Sequence, residues 1–173
     1  MANLGFKEIN LENWSQPDSI HTFFVKLSPT GEGLPMTAED WIQPLLNPRL
    51  LKTVPNDVRD LFEVARGAMI YGYYFYPLWT LGTEQMFRVV DAAVSHKCGA
   101  LGAPKSKKGF ADKVEWLEIM KAIASDDKET FSEIRKLRNS SSHPANQSIV
   151  SPSTAISLLR LVTKVINSIF DAK

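Results

Sequence analysis

PNDVRDLFEVARGAMIYGYYFYPLWTLGTEQMFRVVDAAVSHKCGA, residues 55 to 100, decides the fold. Val58, Leu61, Phe62, Ala65, Ala68, Met69 and Gly72 recur at the i, i+3, i+4, i+7 spacing that gathers side chains on one helix face. Asn56 is the expected N-cap, and Pro77 disfavours helical backbone at Tyr76, so this helix is expected to stop near Phe75. A second helix, about Leu78 to Ala100, turns Met86, Val89, Val90, Ala93 and Val94 inward and Arg88, Asp91 and Lys97 outward. So short a link makes the pair an antiparallel hairpin.

The helical pattern continues C-terminally. The loop GALGAPKSKKG, residues 99 to 109, interrupts it with glycines, a proline and three lysines. A third helix is expected from about Ala111 to Ala124, with Val114, Leu117, Met120 or Lys121, and Ala124 on one face. A short fourth helix runs from about Lys128 to near Arg138 and presents Phe131, Ile134 and Leu137 inward. The last opens at Ser151 with Pro152 in the favoured first position, and Ala155, Leu158, Leu159, Val162, Val165, Ile166 and Ile169 form a wide apolar stripe. No segment after residue 55 alternates over a strand length. The expected fold is all-α, a bundle of four to five helices over residues 55–173.

Residues 1–54 differ in composition. Pro17, Pro29, Pro35, Pro44 and Pro48 and the turn-rich SPTGEG at 28–33 mark a partly irregular N-terminal extension, read as an arm or cover packed on the bundle. Ile20 to Leu27 fits a strand or a helical turn, and periodicity does not choose between them. Thr37, with Glu39 and Asp40 in the first turn, opens a short helix through about Leu46.

Bulk properties narrow the function. At 173 residues and 44% apolar, the chain suits one domain with a real core. Twenty basic and nineteen acidic residues leave a net charge of +1, so a nucleic-acid or membrane partner must be met by a local patch. The lone Cys98 excludes an internal disulfide and a thiolate metal cage. No apolar leader follows the N-terminus and no run of about eighteen apolar residues stands out, so the expectation is a soluble cytoplasmic protein without a membrane partner. Phosphate-loop, HExxH and CxxC motifs are absent, and neither His21 nor His96 has a second histidine three or four residues away. No metal or cofactor is expected, and both histidines are read as surface or core-edge residues.

The chemistry concentrates in RNSSSHP, residues 138 to 144. Arg138 brings a permanent charge and a planar fork suited to phosphate oxygens. His143, with an ordinary pKa near ~6.5, exchanges a proton at neutral pH. Asn139 offers an amide to orient either neighbour. These are the minimal parts of metal-free phosphodiester cleavage. The same residues also fit a plain helix ending, with Arg138 on the last carbonyls, Asn139 at a left-handed C′ position and Pro144 barring continuation.

In spacing and in position before a long final helix, Arg138, Asn139 and His143 resemble the signature of the HEPN superfamily (higher eukaryotes and prokaryotes nucleotide-binding): Arg, four to six residues, then His, often with Asn after the Arg. The resemblance covers roughly residues 55–173. It implies a metal-independent endoribonuclease, of the kind found among toxins and defence effectors, acting as a homodimer on RNA. Arg138 would then stabilise the phosphate, His143 would promote 2′-hydroxyl attack or protonate the leaving oxygen, and Asn139 would orient the pair. A neutralising antitoxin or regulatory protein is the further partner it implies. Other members of the superfamily keep the bundle without cleavage, so the alternative is a non-catalytic nucleotide-binding or protein-interaction module.

Three further features are compatible with RNA. Lys105, Lys107 and Lys108 form a basic loop able to track phosphates, although a solvated loop is the commoner fate of such a cluster. The aromatic run Tyr71 to Trp79 offers stacking surfaces or, more often, a buried junction or oligomer face. Glu84, near the start of the second helix, is a candidate auxiliary acid or salt-bridge partner for Arg138, with a helix-terminus role as the simpler alternative.

Overall fold

A computed structural model describes residues 7–141 and 149–171. Six α-helices and one two-stranded ribbon are present among them. The centre is the hairpin α2 (Asn56–Tyr71) and α3 (Leu78–Ala100), whose contact is the most extensive in the chain. The helices meet at Gly82, where an added Cβ would fall 2.6 Å from Met69 Cγ and 2.8 Å from the Ala65 carbonyl oxygen. Only a residue without a side chain lets the backbones approach this closely.

Two boundaries of this hairpin differ from the sequence reading. The N-cap position of α2 is Pro55; Asn56 is already helical, and its side-chain oxygen accepts from the Arg59 guanidinium instead. The helix also ends at Tyr71, not near Phe75. Trp79 explains the early stop, because its indole lies against Gly72, where a Cβ would be 2.7 Å from Nε1. Overlapping tight turns from Ile70 to Phe75 then carry the chain into α3.

α6 (Pro152–Phe170) packs along α3. Ser151 caps it by accepting from the Thr154 N–H at 3.3 Å, and all seven residues of the expected stripe are buried. By length and composition alone this helix is apolar enough to cross a membrane, with a mean hydropathy of 1.2, although Arg160 and Lys164 interrupt it. Leu159, Val162, Val165 and Ile166 are nevertheless fully enclosed by the bundle.

α4 (Phe110–Ile119) stops well short of Ala124. Lys121 adopts a left-handed φ of 55°, and the Lys121 and Ala122 N–H groups reach back to the carbonyls of Glu118 and Leu117. That is a Schellman ending on a lysine, which no glycine signalled. The early stop frees the chain to start α5 (Ser125–Ser141), which exceeds the expected Lys128–Arg138 at both ends. Phe131 and Ile134 are buried, whereas Leu137, expected inward, is 46% exposed because α5 runs out past the core there. Near its other end the buried Asp127 places Oδ1 3.5 Å from Lys164 Nζ of α6.

The N-terminal segment resolves the ambiguity at Ile20–Leu27 by containing both alternatives. A 3-10 turn, Ser19–Phe23, leads into β1 (Val25–Leu27), which pairs antiparallel with β2 (Gly33–Pro35). α1 (Ala38–Leu46) begins with a reciprocal cap between Thr37 and Asp40, and it buries Trp41 and Leu45 in the common core. Asp18, fully buried, fastens this segment to the α2–α3 junction: its carboxylate accepts from the N–H groups of Tyr76 (3.0 Å) and Ile20 (3.3 Å), while its own N–H donates to the Tyr73 carbonyl.

Candidate functional site

Arg138 lies in the last turn of α5, and Asn139 follows it there, exposed. The helix-ending reading that put Asn139 at a left-handed C′ position is therefore corrected: the backbone stays helical through Ser141, and among the described residues only Lys121 and two glycines have positive φ. Asn139 and Ser140 are both exposed in this last helical turn. His143 lies outside the described residues.

The Arg138 guanidinium stands 5.8 Å from the centre of the Phe110 ring, at the first turn of α4. It borders an open groove of about 540 Å³ whose remaining lining is one stripe of α3: Glu84, Phe87, Arg88, Asp91, Ala92 and Ser95. Glu84, Arg88, Asp91 and Ser95 follow at intervals of four, three and four residues, so a single helix face presents them all. At the end of the stripe Ser95 Oγ donates to the Asp91 carbonyl and accepts from Lys113 Nζ of α4, both at 2.7 Å. Two cations and two carboxylates thus line the groove over Phe87, while Lys113 reaches its end through Ser95 and Phe110 stands behind the Arg138 guanidinium.

The structure brings Glu84 and Arg138 to the same groove. It does not bring the basic loop there: Lys105, Lys107 and Lys108 are absent from the lining, and Lys107 Nζ is 3.6 Å from Glu115 Oε2 on the outside of α4. Arg88 and Asp91 were read from the sequence only as outward-facing, and Ser95 and Lys113 were not singled out. The stripe spacing was visible in the sequence, but the placing of Arg138 of α5 against it was not.

The other chemical candidates lie outside the lining of this groove. His21 is buried, and its Nε2 is 3.0 Å from the Gly72 carbonyl oxygen. A carbonyl only accepts, so Nε2 carries the hydrogen, and Nδ1 is left buried without a partner among the described residues. Burial lowers the His21 pKa, opposed in part by the Gly72 bond and the charge of Asp18. His96 pairs with Asp57 across the open end of the α2–α3 hairpin, Nε2 to Oδ2 at 2.6 Å, which holds the Asp57 carboxyl below its ordinary range. In the aromatic run Tyr76 and Trp79 are buried at the helix junction, while Tyr71 is exposed. Cys98 is buried with its thiol near the Lys113 carbonyl, and burial raises its pKa. Among the described residues no three His, Cys, Asp or Glu side chains are grouped as metal ligands.

No protein-family model, curated protein or solved structure matches this chain. The functional reading therefore rests on the groove and on Arg138 at its border.

Proposed function

We propose that the chain is a metal-independent endoribonuclease of the HEPN type, with Arg138 and His143 as its catalytic pair. The observation that carries the reading is the placement of Arg138: stacked near Phe110, its guanidinium borders a groove wide enough for a nucleotide and open to solvent. A guanidinium held on a ring at a partly enclosed surface is poised to stabilise the charge that grows on a phosphate during displacement. His143, five residues on, takes the proton from the ribose 2′-hydroxyl or gives one to the leaving 5′-oxygen. Asn139 orients the pair, and Glu84, on the same groove, is the auxiliary carboxylate. Two copies of the chain facing one another would supply two such pairs to one RNA, in a cytoplasmic effector restrained by a neutralising partner.

A second reading, a nucleotide-binding module without cleavage, is favoured by the carboxylates of Glu84 and Asp91 among the cations. They weaken the groove's hold on a long polyanion, and the overall charge of +1 adds nothing to it. Purified chain incubated with single-stranded and structured RNA in EDTA separates the two. Cleavage abolished in both Arg138→Ala and His143→Ala supports the nuclease. A folded dimer that cuts none of these RNAs supports the module.

A further inference from the structure

On α3, Glu84 and Arg88 stand at i, i+4, and Arg88 and Asp91 at i, i+3, spacings at which opposite charges on a helix normally pair. Here they do not. Among the described residues, the side chains of Glu84, Arg88 and Asp91 form no ion pair or hydrogen bond, with one another or with any neighbour, although all three line the same groove as Arg138. Opposite charges that face one cavity unpaired suit a ligand that carries both an anion and hydrogen-bond donors. A nucleotide is such a ligand, with an anionic phosphate at one end and donors on its base at the other.

We infer that this groove reads the base of one unpaired RNA nucleotide, and that Asp91 selects guanine. The inference rests on the proposal that the site handles RNA, and it adds which nucleotide is held. A carboxylate only accepts hydrogen bonds, through two oxygens set side by side. Guanine is the one base whose Watson–Crick edge offers two adjacent donors, N1–H and the 2-amino group. Adenine and cytosine offer one amino group beside an acceptor, and uracil sets a single N–H between two carbonyls. Asp91 is half-buried where Glu84 is exposed, so a hydrogen bond to Asp91 is less diluted by water. Arg138 holds the phosphate of the same nucleotide, Arg88 offsets the carboxylates so that the anion is not repelled, and Lys113 adds positive charge beyond Asp91 through its contact with Ser95.

Titrating the full chain in EDTA with the 5′-monophosphates of guanosine, inosine and uridine, followed by NMR shifts or calorimetry, tests this without requiring cleavage. Guanosine monophosphate is expected to bind on the order of tenfold more tightly than uridine monophosphate, with inosine monophosphate, which lacks the 2-amino group, in between. Asp91→Asn, which exchanges an acceptor for a donor, is expected to abolish that order while the chain stays folded. Equal affinity for the three, no binding of any, or an order unchanged in Asp91→Asn overturns the inference. A guanine preference in a chain that cuts no RNA would uphold it while overturning the nuclease.

Discussion

Phe110, the first residue of α4, places its ring 5.8 Å from the Arg138 guanidinium on the last turn of α5. The two helices are consecutive and joined by a short loop, yet this contact links the beginning of one to the end of the other, beside the groove that Arg138 lines. Phe110→Leu keeps the buried volume nearly constant and removes the ring. It is expected to weaken RNA or nucleotide binding roughly twofold to fivefold, as the loss of a part-exposed cation–π contact would. An unchanged binding isotherm in a variant with native circular dichroism would show that the ring does not position Arg138.

Asp18 holds the N-terminal segment against the α2–α3 junction through the Tyr76 N–H. Asp18→Ala leaves that buried donor unpaired, which costs about 1–3 kcal/mol. Lower stability in urea, together with faster proteolytic cutting ahead of α1, is the expected result. Stability equal to that of the native chain would contradict a structural role for this carboxylate.

Gly82→Ala forces a methyl to within 3 Å of the Ala65 carbonyl, a backbone atom that cannot turn aside. Overpacking of this kind costs about 1–3 kcal/mol. Gly99, whose added Cβ would meet nothing within 4 Å, is the control, and Gly99→Ala should not destabilise the chain in the same thermal melts.

His21 makes stability depend on pH. Its folded pKa lies below the ordinary value, chiefly because burial disfavours the charged ring. As pH falls below about 6.5, the unfolded chain takes up a proton that the folded chain resists, so folding is progressively disfavoured. The native chain should therefore lose more thermal stability between pH 7 and pH 5 than His21→Leu, whatever their difference at pH 7. Parallel pH profiles for the two would remove His21 as the cause.

Periodicity revealed the fold where one helix face meets the core. The α3 start at Leu78, the α6 start at Pro152 and the seven apolar residues of the α6 stripe were legible, because Pro fixes a boundary and burial fixes a period. It missed what tertiary contact decides. Trp79 seated on Gly72 ends α2 early, and a left-handed Lys121 ends α4 without a glycine to announce it. The site divides in the same way. Arg138, Asn139 and Glu84 were legible as chemistry, since residue type and spacing suffice to propose a role. Arg88, Asp91, Ser95 and Lys113 were legible only as polar residues, because which helix faces which is a property of the packed bundle.

The central claim is that RNA is cut by the chain's own side chains through attack of the ribose 2′-hydroxyl. The most direct test is the chemistry of the new ends after incubation with a single-stranded RNA in EDTA. The account predicts a 2′,3′-cyclic phosphate on the upstream fragment and a 5′-hydroxyl on the downstream one, with no fragments from the same RNA when the 2′-hydroxyl next to the scissile phosphate is replaced by hydrogen. A 5′-phosphate product, or cleavage that persists in Arg138→Ala, would contradict it.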